Sequence, residues 1–139
     1  MKRVLVDTGP IVAVMVAQDV HHQSCVDVLR ELPGAPVSCW PVVTEAAWLL
    51  RDHPVELRKL LSTLSTGFIE MLPLLSTEAG RIGEIMDRYS NLRPQLADAV
   101  LVYLAERENI DTIFTLDRRD FSVYRIAGKR PFRIIPAAE

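Results

Sequence analysis

Close to the N-terminus an unbroken apolar run, Val4-Leu5-Val6, stops at a carboxylate, Asp7, and passes at once into Thr8-Gly9-Pro10. Three aliphatic residues without polar alternation suit a central parallel strand covered on both faces, which directs the whole chain toward an α/β architecture. Asp7 then stands at the carboxyl end of that strand, the edge at which open α/β sheets bind ligands. Gly9 and Pro10 end the strand. Pro10, with its fixed φ, suits the first turn of a helix running through Ile11 to Ala17. Taken alone, Asp7 or Thr8 reads equally well as the cap of that helix.

The remaining composition bounds the answer without naming it. The chain has 139 residues, enough for one domain with a real core. No apolar run approaches the ~20 residues of a membrane-spanning helix, so no membrane partner is expected. Met1-Lys2-Arg3 imitates the basic start of a signal peptide, but Asp7 interrupts the apolar stretch behind it. The expected location is therefore the cytoplasm. Cys25 and Cys39 are too few and too far apart for a zinc site, and read as small buried hydrophobes. The formal net charge of −2 gives no overall pull toward nucleic acid, so such a partner needs a local patch. One is present late in the chain, where Arg118, Arg119, Arg125, Lys129, Arg130 and Arg133 crowd together.

In order along the chain, the polar stretch Gln18-Asp19-Val20-His21-His22 leads into an amphipathic helix that ends before Pro33-Gly34. There Asp19 is expected as an N-cap followed by solvated histidines, with His21 and His22 as candidates for a supporting or RNA-contacting role. Ala35 to Cys39 predicts a second strand, and Trp40-Pro41 opens a helix carrying Val42 to Leu50. A second amphipathic helix is predicted from Pro54 to about Thr66, then a strand from Phe68 to Leu72. Ser76-Thr77-Glu78 can cap the next helix. Asn91-Leu92-Arg93-Pro94 opens a helix that is apolar nearly all round. Asp111 to Asp117 repeats the opening pattern, with Arg118-Arg119-Asp120-Phe121 as its loop, and Phe132 to Pro136 closes the chain as an edge strand.

Two further acidic residues are out of place in this pattern. Glu45 lies early in an otherwise apolar helix, where it either faces solvent, favours the helix dipole or meets a partner. Asp98 sits among Ala97, Ala99, Val100 and Leu101 in a helix expected to be interior, and a buried Asp needs a salt bridge or a metal. Alternating strands and helices with right-handed crossovers bring successive strand ends to one edge, which places Asp7 near Asp117 and leaves Glu45 and Asp98 on helix starts along it. Carboxylates gathered there without positive charge repel one another. A hard divalent cation, Mg2+ or Mn2+, takes oxygen ligands and resolves the conflict.

The fragments Val4-Leu5-Val6-Asp7-Thr8-Gly9-Pro10, Val43-Thr44-Glu45, Leu96-Ala97-Asp98-Ala99 and Thr115-Leu116-Asp117-Arg118-Arg119-Asp120-Phe121, in this order, resemble the PIN-domain ribonucleases, specifically the toxins of type II VapBC toxin-antitoxin systems. The likeness covers nearly the whole chain. It implies a single PIN domain over residues 1–139, a three-layer α/β/α fold with a mostly parallel central sheet of four to five strands. It also implies that Asp7, Glu45, Asp98 and Asp117 bind Mg2+, with Mn2+ as a substitute, and carry catalysis. Thr8, Thr44 or Thr115 would be hydroxyl support, and Asp120 could share or replace the role of Asp117, which is favoured because it lies directly at the strand end. The implied reaction is hydrolysis of an RNA phosphodiester leaving a 5′ phosphate, with Arg118, Arg119 and Arg125 on the RNA backbone. A homodimer and a cognate antitoxin are the implied partners. Two other readings stand beside it. A non-catalytic PIN-like binding module would share the whole pattern. A receiver-like phosphoacceptor would want paired acidic residues after the first strand and a late lysine, where this chain has Asp7 alone and Thr115-Leu116-Asp117.

Overall fold

The first strand, β1 (Arg3–Val6), occupies the middle of a five-stranded sheet, and the reason is visible in its burial. Successive strand residues point to opposite faces, yet Val4, Leu5 and Val6 are all buried, so both faces of the sheet are covered. The computed structural model describes residues 2–138.

β1 is flanked by β2 (Ala35–Ser38) and β4 (Thr112–Phe114), with Leu5 opposite Val37 on one side and Ile113 on the other. The short β3 (Glu70–Met71) extends the sheet beyond β2, and β7 (Arg133–Ile135) extends it beyond β4. Every pairing in this sheet is parallel. The crossovers are helical: α1 (Thr8–Met15) and α2 (His22–Arg30) after β1, then α3 (Trp40–Leu49) and α4 (Pro54–Ser65) after β2. α5 (Ala79–Arg88) and α6 (Leu96–Glu108) follow β3. None of the helices of the described residues is long and apolar enough to cross a membrane. Cys25 and Cys39 are free and buried, as their sequence context implies.

Several boundaries differ from the sequence expectation. α1 begins at Thr8, three residues before Ile11, because the Asp7 carboxylate accepts from the Thr8 N–H (2.7 Å) and lets the helix start directly after the strand. The third strand shrinks to Glu70–Met71, with Phe68 left exposed. Asn91 to Pro94 do not open α6: Ser90–Leu92 form a 3-10 turn, Arg93 takes a left-handed conformation (φ 51°), and α6 starts only after Gln95. Arg118–Phe121 is a short helix, α7, where a loop was expected, because Asp117 accepts from the Asp120 N–H (3.1 Å) as its N-cap. A two-stranded antiparallel ribbon, β5 (Arg125–Ile126) with β6 (Arg130–Pro131), has no counterpart in the sequence reading. Its turn uses positive φ at Ala127 and Gly128. His22 is half-buried with Nδ1 on the Ala13 carbonyl (2.8 Å), so it is not the solvated histidine its neighbours suggested.

The approach of β2 to β1 is set by Gly34. The Ala35 N–H donates to the Lys2 carbonyl (3.0 Å), and a Cβ on Gly34 would stand 2.5 Å from that same oxygen. Replacing Gly34→Ala therefore forces the start of β2 away from β1. The expected cost is about 1–3 kcal/mol, read as a lower midpoint in urea unfolding, with no change in the slope.

Candidate functional site

All four acidic residues singled out by the sequence line one cleft of about 520 Å³ at the carboxyl-terminal edge of the sheet. Asp7 is delivered by the end of β1, Asp117 by the segment after β4, Glu45 by the second turn of α3 and Asp98 by the first turn of α6. Thr8 and Gln95 share the lining.

The carboxylates are held by short, specific contacts. The Thr115 hydroxyl donates to Asp7 Oδ2 (2.7 Å) and accepts the Asp117 N–H (2.9 Å), tying the ends of β1 and β4 together. Thr8 N–H closes on Asp7 Oδ1. Asp98 Oδ2 accepts the Gln95 N–H (3.0 Å), and Asp117 Oδ1 caps α7. Asp98 is only half-buried, against the expectation of an interior carboxylate, because the first turn of α6 opens onto the cleft. Thr44 is exposed and lines a neighbouring groove instead of this cleft. Asp120 contributes its backbone N–H to Asp117 and does not line the cleft, nor do Asp19, His21 and His22. Gln95 was missed by sequence reasoning. Its signal was a polar residue three places before an acidic one at a helix start.

No Lys, Arg or His of the described residues lines the cleft. Burial, above all, raises the affinity of the Asp7 carboxylate for a proton, against the two hydrogen bonds that lower it, and Glu45 and Asp117 add like-charge repulsion. Asp98 is pushed up to about 6, first by burial and then, against its bond from Gln95, by Asp7, Glu45 and Asp117. The Thr8 hydroxyl is buried in this lining with no partner among the described residues. Clustered carboxylates, an oxygen without a partner and no cation together form a hard, all-oxygen donor set that fits Mg2+ or Mn2+. No three acidic, His or Cys side chains of the described residues are close enough together to hold an ion by direct ligation alone. Mg2+ suits such an open arrangement, since it keeps several of its waters.

The basic cluster separates into different tasks. Arg125 Nη1 donates to the carbonyls of Ser122 (2.8 Å), Val123 (3.2 Å) and Tyr124 (3.0 Å), closing the end of α7. Arg130 bonds Asn109 Oδ1 (2.7 Å), and Arg118 bonds the Pro136 carbonyl. Arg119 is exposed on α7, directly behind the cleft's Asp117. A second polar cleft, about 420 Å³, opens at the opposite end of the strands, but its Arg3 is already paired with Glu108 (3.1 Å).

This sheet, with its acidic edge, is that of a known family, for residues 4–128 match the PIN domain. The chain belongs to the PIN-domain family. Within it, the chain is similar to Ribonuclease VapC26 of Mycobacterium tuberculosis, with 31% identity over 135 residues covering 95% of this chain and 99% of that protein. The fold is shared with the crystal structure of Mycobacterium tuberculosis VapC20, described as a Sarcin-Ricin loop cleaving toxin. The TM-score is 0.80, over 92% of this chain and 99% of that one, at 18% identity.

The raised carboxyl groups make a pH prediction for the metal-free protein. A folded-state value above the unfolded one means that the native form takes up protons first, so stability rises as pH falls through about 6 and is lost as pH climbs back. Between about pH 7.5 and pH 5.5, metal-free protein should gain thermal stability. Asp98→Asn should be the more stable form at the upper end and show a smaller gain. Equal slopes for the two proteins would remove the basis for this assignment.

Proposed function

We propose that this PIN domain is a divalent-metal-dependent ribonuclease of the VapC type, hydrolysing RNA phosphodiester bonds as the toxin of a toxin-antitoxin pair. The observation that carries the reading is the convergence of Asp7, Glu45, Asp98 and Asp117 on one cleft whose lining, among the described residues, has no Lys, Arg or His. The ribonuclease relative at 31% identity supports it. The domain is taken to span residues 1–139 and to work in the cytoplasm.

Asp7, Glu45, Asp98 and Asp117 would hold the metal, Mg2+ by preference and Mn2+ in its place. When bound, the cation supplies charge neutralisation and Lewis acidity for the hydrolysis. The protein supplies position. Asp7 cannot swing, because both of its oxygens are engaged by Thr8 and Thr115. Asp98 keeps Oδ1 and Asp117 keeps Oδ2 outside their capping bonds, and either oxygen would orient an attacking water. Thr115 and the buried Thr8 hydroxyl support this set. Asp117 is preferred to Asp120 because only Asp117 lines the cleft. Of the arginines proposed for the RNA backbone, Arg118 and Arg119 are both exposed, Arg118 with a bond to the Pro136 carbonyl. Arg125 can add its charge only while capping α7.

A homodimer and a cognate antitoxin are the proposed protein partners. Exposed apolar side chains at Val20, Val55, Leu61 and Phe68 provide surface for them, away from the cleft lining.

Asp7→Asn should cut RNA cleavage by at least about 100-fold, equivalent to about 2.7 kcal/mol of transition-state stabilisation, while the thermal unfolding transition is kept. EDTA should silence the wild type, and Mg2+ or Mn2+ should restore it. Sequencing of 5′ ends from cells expressing either form without antitoxin reads the outcome, and a fully active Asp7→Asn protein would refute the site. For Arg119→Ala, RNA affinity should drop uniformly across sequences and the salt slope of binding should shrink by about one.

A further inference from the structure

Positive charge is cancelled on one part of this protein and kept on another. Arg3, Arg81 and Arg107 meet carboxylates, at Glu108 (3.1 Å), Glu106 (2.7 Å) and Glu78 (2.9 Å). The late basic residues do not. Arg118 donates to the Pro136 carbonyl, Arg125 to the carbonyls of Ser122, Val123 and Tyr124, and Arg130 to Asn109 Oδ1. Each of these acceptors is neutral, so the side chain is held in place while its charge stays uncompensated. No ion pair among the described residues involves Arg88 or any basic residue from 118 to 133. Over residues 118–136 the sequence has one acid, Asp120.

The β5–β6 ribbon carries part of this charge on a fixed frame. Its turn, with Ala127 and Gly128 at positive φ, takes a guanidinium from another element: Arg88, the last residue of α5, reaches the Gly128 carbonyl (3.4 Å). A Cβ on Gly128 would stand 2.5 Å from Arg88 Nη1, so glycine is what admits that side chain. The Tyr89 hydroxyl accepts the Arg125 N–H (2.9 Å) and pins the start of β5 to the same helix end. Arg88, Lys129 and Arg130 are exposed on this frame. Arg130, at the C-cap Asn109 of α6, also lines the polar cleft at the opposite end of the strands, together with the exposed Lys2.

That position gives the basic strip a length. α6 begins at the acidic cleft and runs for 13 residues, about 20 Å at 1.5 Å per residue. The strip begins with Arg118 and Arg119, directly after the cleft's Asp117, and ends with Arg130 beside the far end of α6, so it covers a similar distance. At ~3.4 Å per phosphate of one stacked strand, about six nucleotides fit along it. A row of fixed cations repels itself, and a polyanion relieves the repulsion. The aromatic residues of this segment, Phe121, Tyr124 and Phe132, are all buried, so the strip offers charge without a stacking surface. Phosphates are the groups it suits, and bases are not.

We propose that α7, the β5–β6 ribbon and the end of α5 form a track for the RNA backbone that leads away from the acidic cleft, so that the protein favours long RNA over short fragments. The inference rests on the ribonuclease reading for its polyanion. It extends the contact surface from the arginines beside the site to Arg88, Lys129 and Arg130, and its test can be read without catalysis.

The Asp7→Asn protein in Mg2+ would be titrated with labelled oligouridylates of about 4 and about 15 nucleotides, one too short for the strip and one able to cover it, across about 50–200 mM salt. Adding Lys129→Ala with Arg130→Gln, whose amide can keep the bond to Asn109, should weaken the long RNA about 10-fold and shrink its salt slope by about two. The short RNA should change by less than about 2-fold. Arg88→Gln, which can likewise keep the Gly128 contact, should shrink the slope for the long RNA by about one, and Lys129→Arg should bind as its parent does. In the cleaving protein, the Lys129→Ala, Arg130→Gln pair should lower kcat/KM on the long RNA and keep it on the short one. Equal losses on both lengths, or none on either, would overturn the proposal. So would a pair that binds both RNAs normally but no longer holds polyglutamate, since that assigns the strip to an acidic protein segment. Length-dependent binding by a wild type that cleaves no RNA would keep the track and remove the ribonuclease reading; cleavage without length dependence would do the reverse.

Discussion

One hydroxyl couples the two strand ends from which the site grows. Thr115, fully buried, donates to Asp7 and accepts from the Asp117 backbone, so the ends of β1 and β4 are locked together across 108 positions of sequence. The bond holds Asp7 in place inside a lining that otherwise disfavours its charge, since burial and the neighbouring carboxylates both raise its proton affinity. A carboxylate in this position is comfortable only as an acid or beside a cation. The fold thus carries a local instability at the edge of the sheet, and the large apolar core of β1, α6 and β4 offsets it.

Helix capping is how the remaining carboxylates are aimed. Asp7 caps α1, Asp98 closes on the backbone before α6, and Asp117 caps α7. Each of these helices points its amino end toward the cleft, where unpaired N–H groups and the helix dipole favour negative charge. The structural and the chemical reading of these residues are therefore one arrangement. For Asp98 and Asp117 the capping bond uses one oxygen and leaves the other without a bond among the described residues. Glu45 is different: it lies on the second turn of α3, caps nothing, and lines both the acidic cleft and the neighbouring groove of Trp40 and Trp48.

The late run of basic residues serves the fold without leaving the surface. Arg125 donates to three carbonyls at the end of α7, Arg130 to Asn109 Oδ1 and Arg118 to the Pro136 carbonyl. These bonds tie the α7 segment and the β5–β6 ribbon to their neighbours, yet Arg118, Arg119, Lys129, Arg130 and Arg133 are all exposed and Arg125 is half-buried.

The sequence by itself determined what is local. An aliphatic run halted by Asp7, and its echo at Thr112 to Asp117, identified the two central strands and the acids at their ends, because strand burial and strand ends are written in adjacent residues. The order of motifs also identified Glu45 and Asp98. Only the tertiary structure decided the rest. On paper Asp117 is favoured over Asp120 only by its place directly at the strand end; the turn of α7 puts Asp117 in the cleft and gives Asp120 a backbone role. Asp98 looked interior from its neighbours, yet the outward first turn of α6 leaves it at an opening. The bringing together of Gln95, at the start of α6, with Trp40, Thr44 and Trp48 on α3 arises where helices from distant parts of the chain meet, and such meetings are fixed by packing over the sheet, which no short stretch of residues encodes.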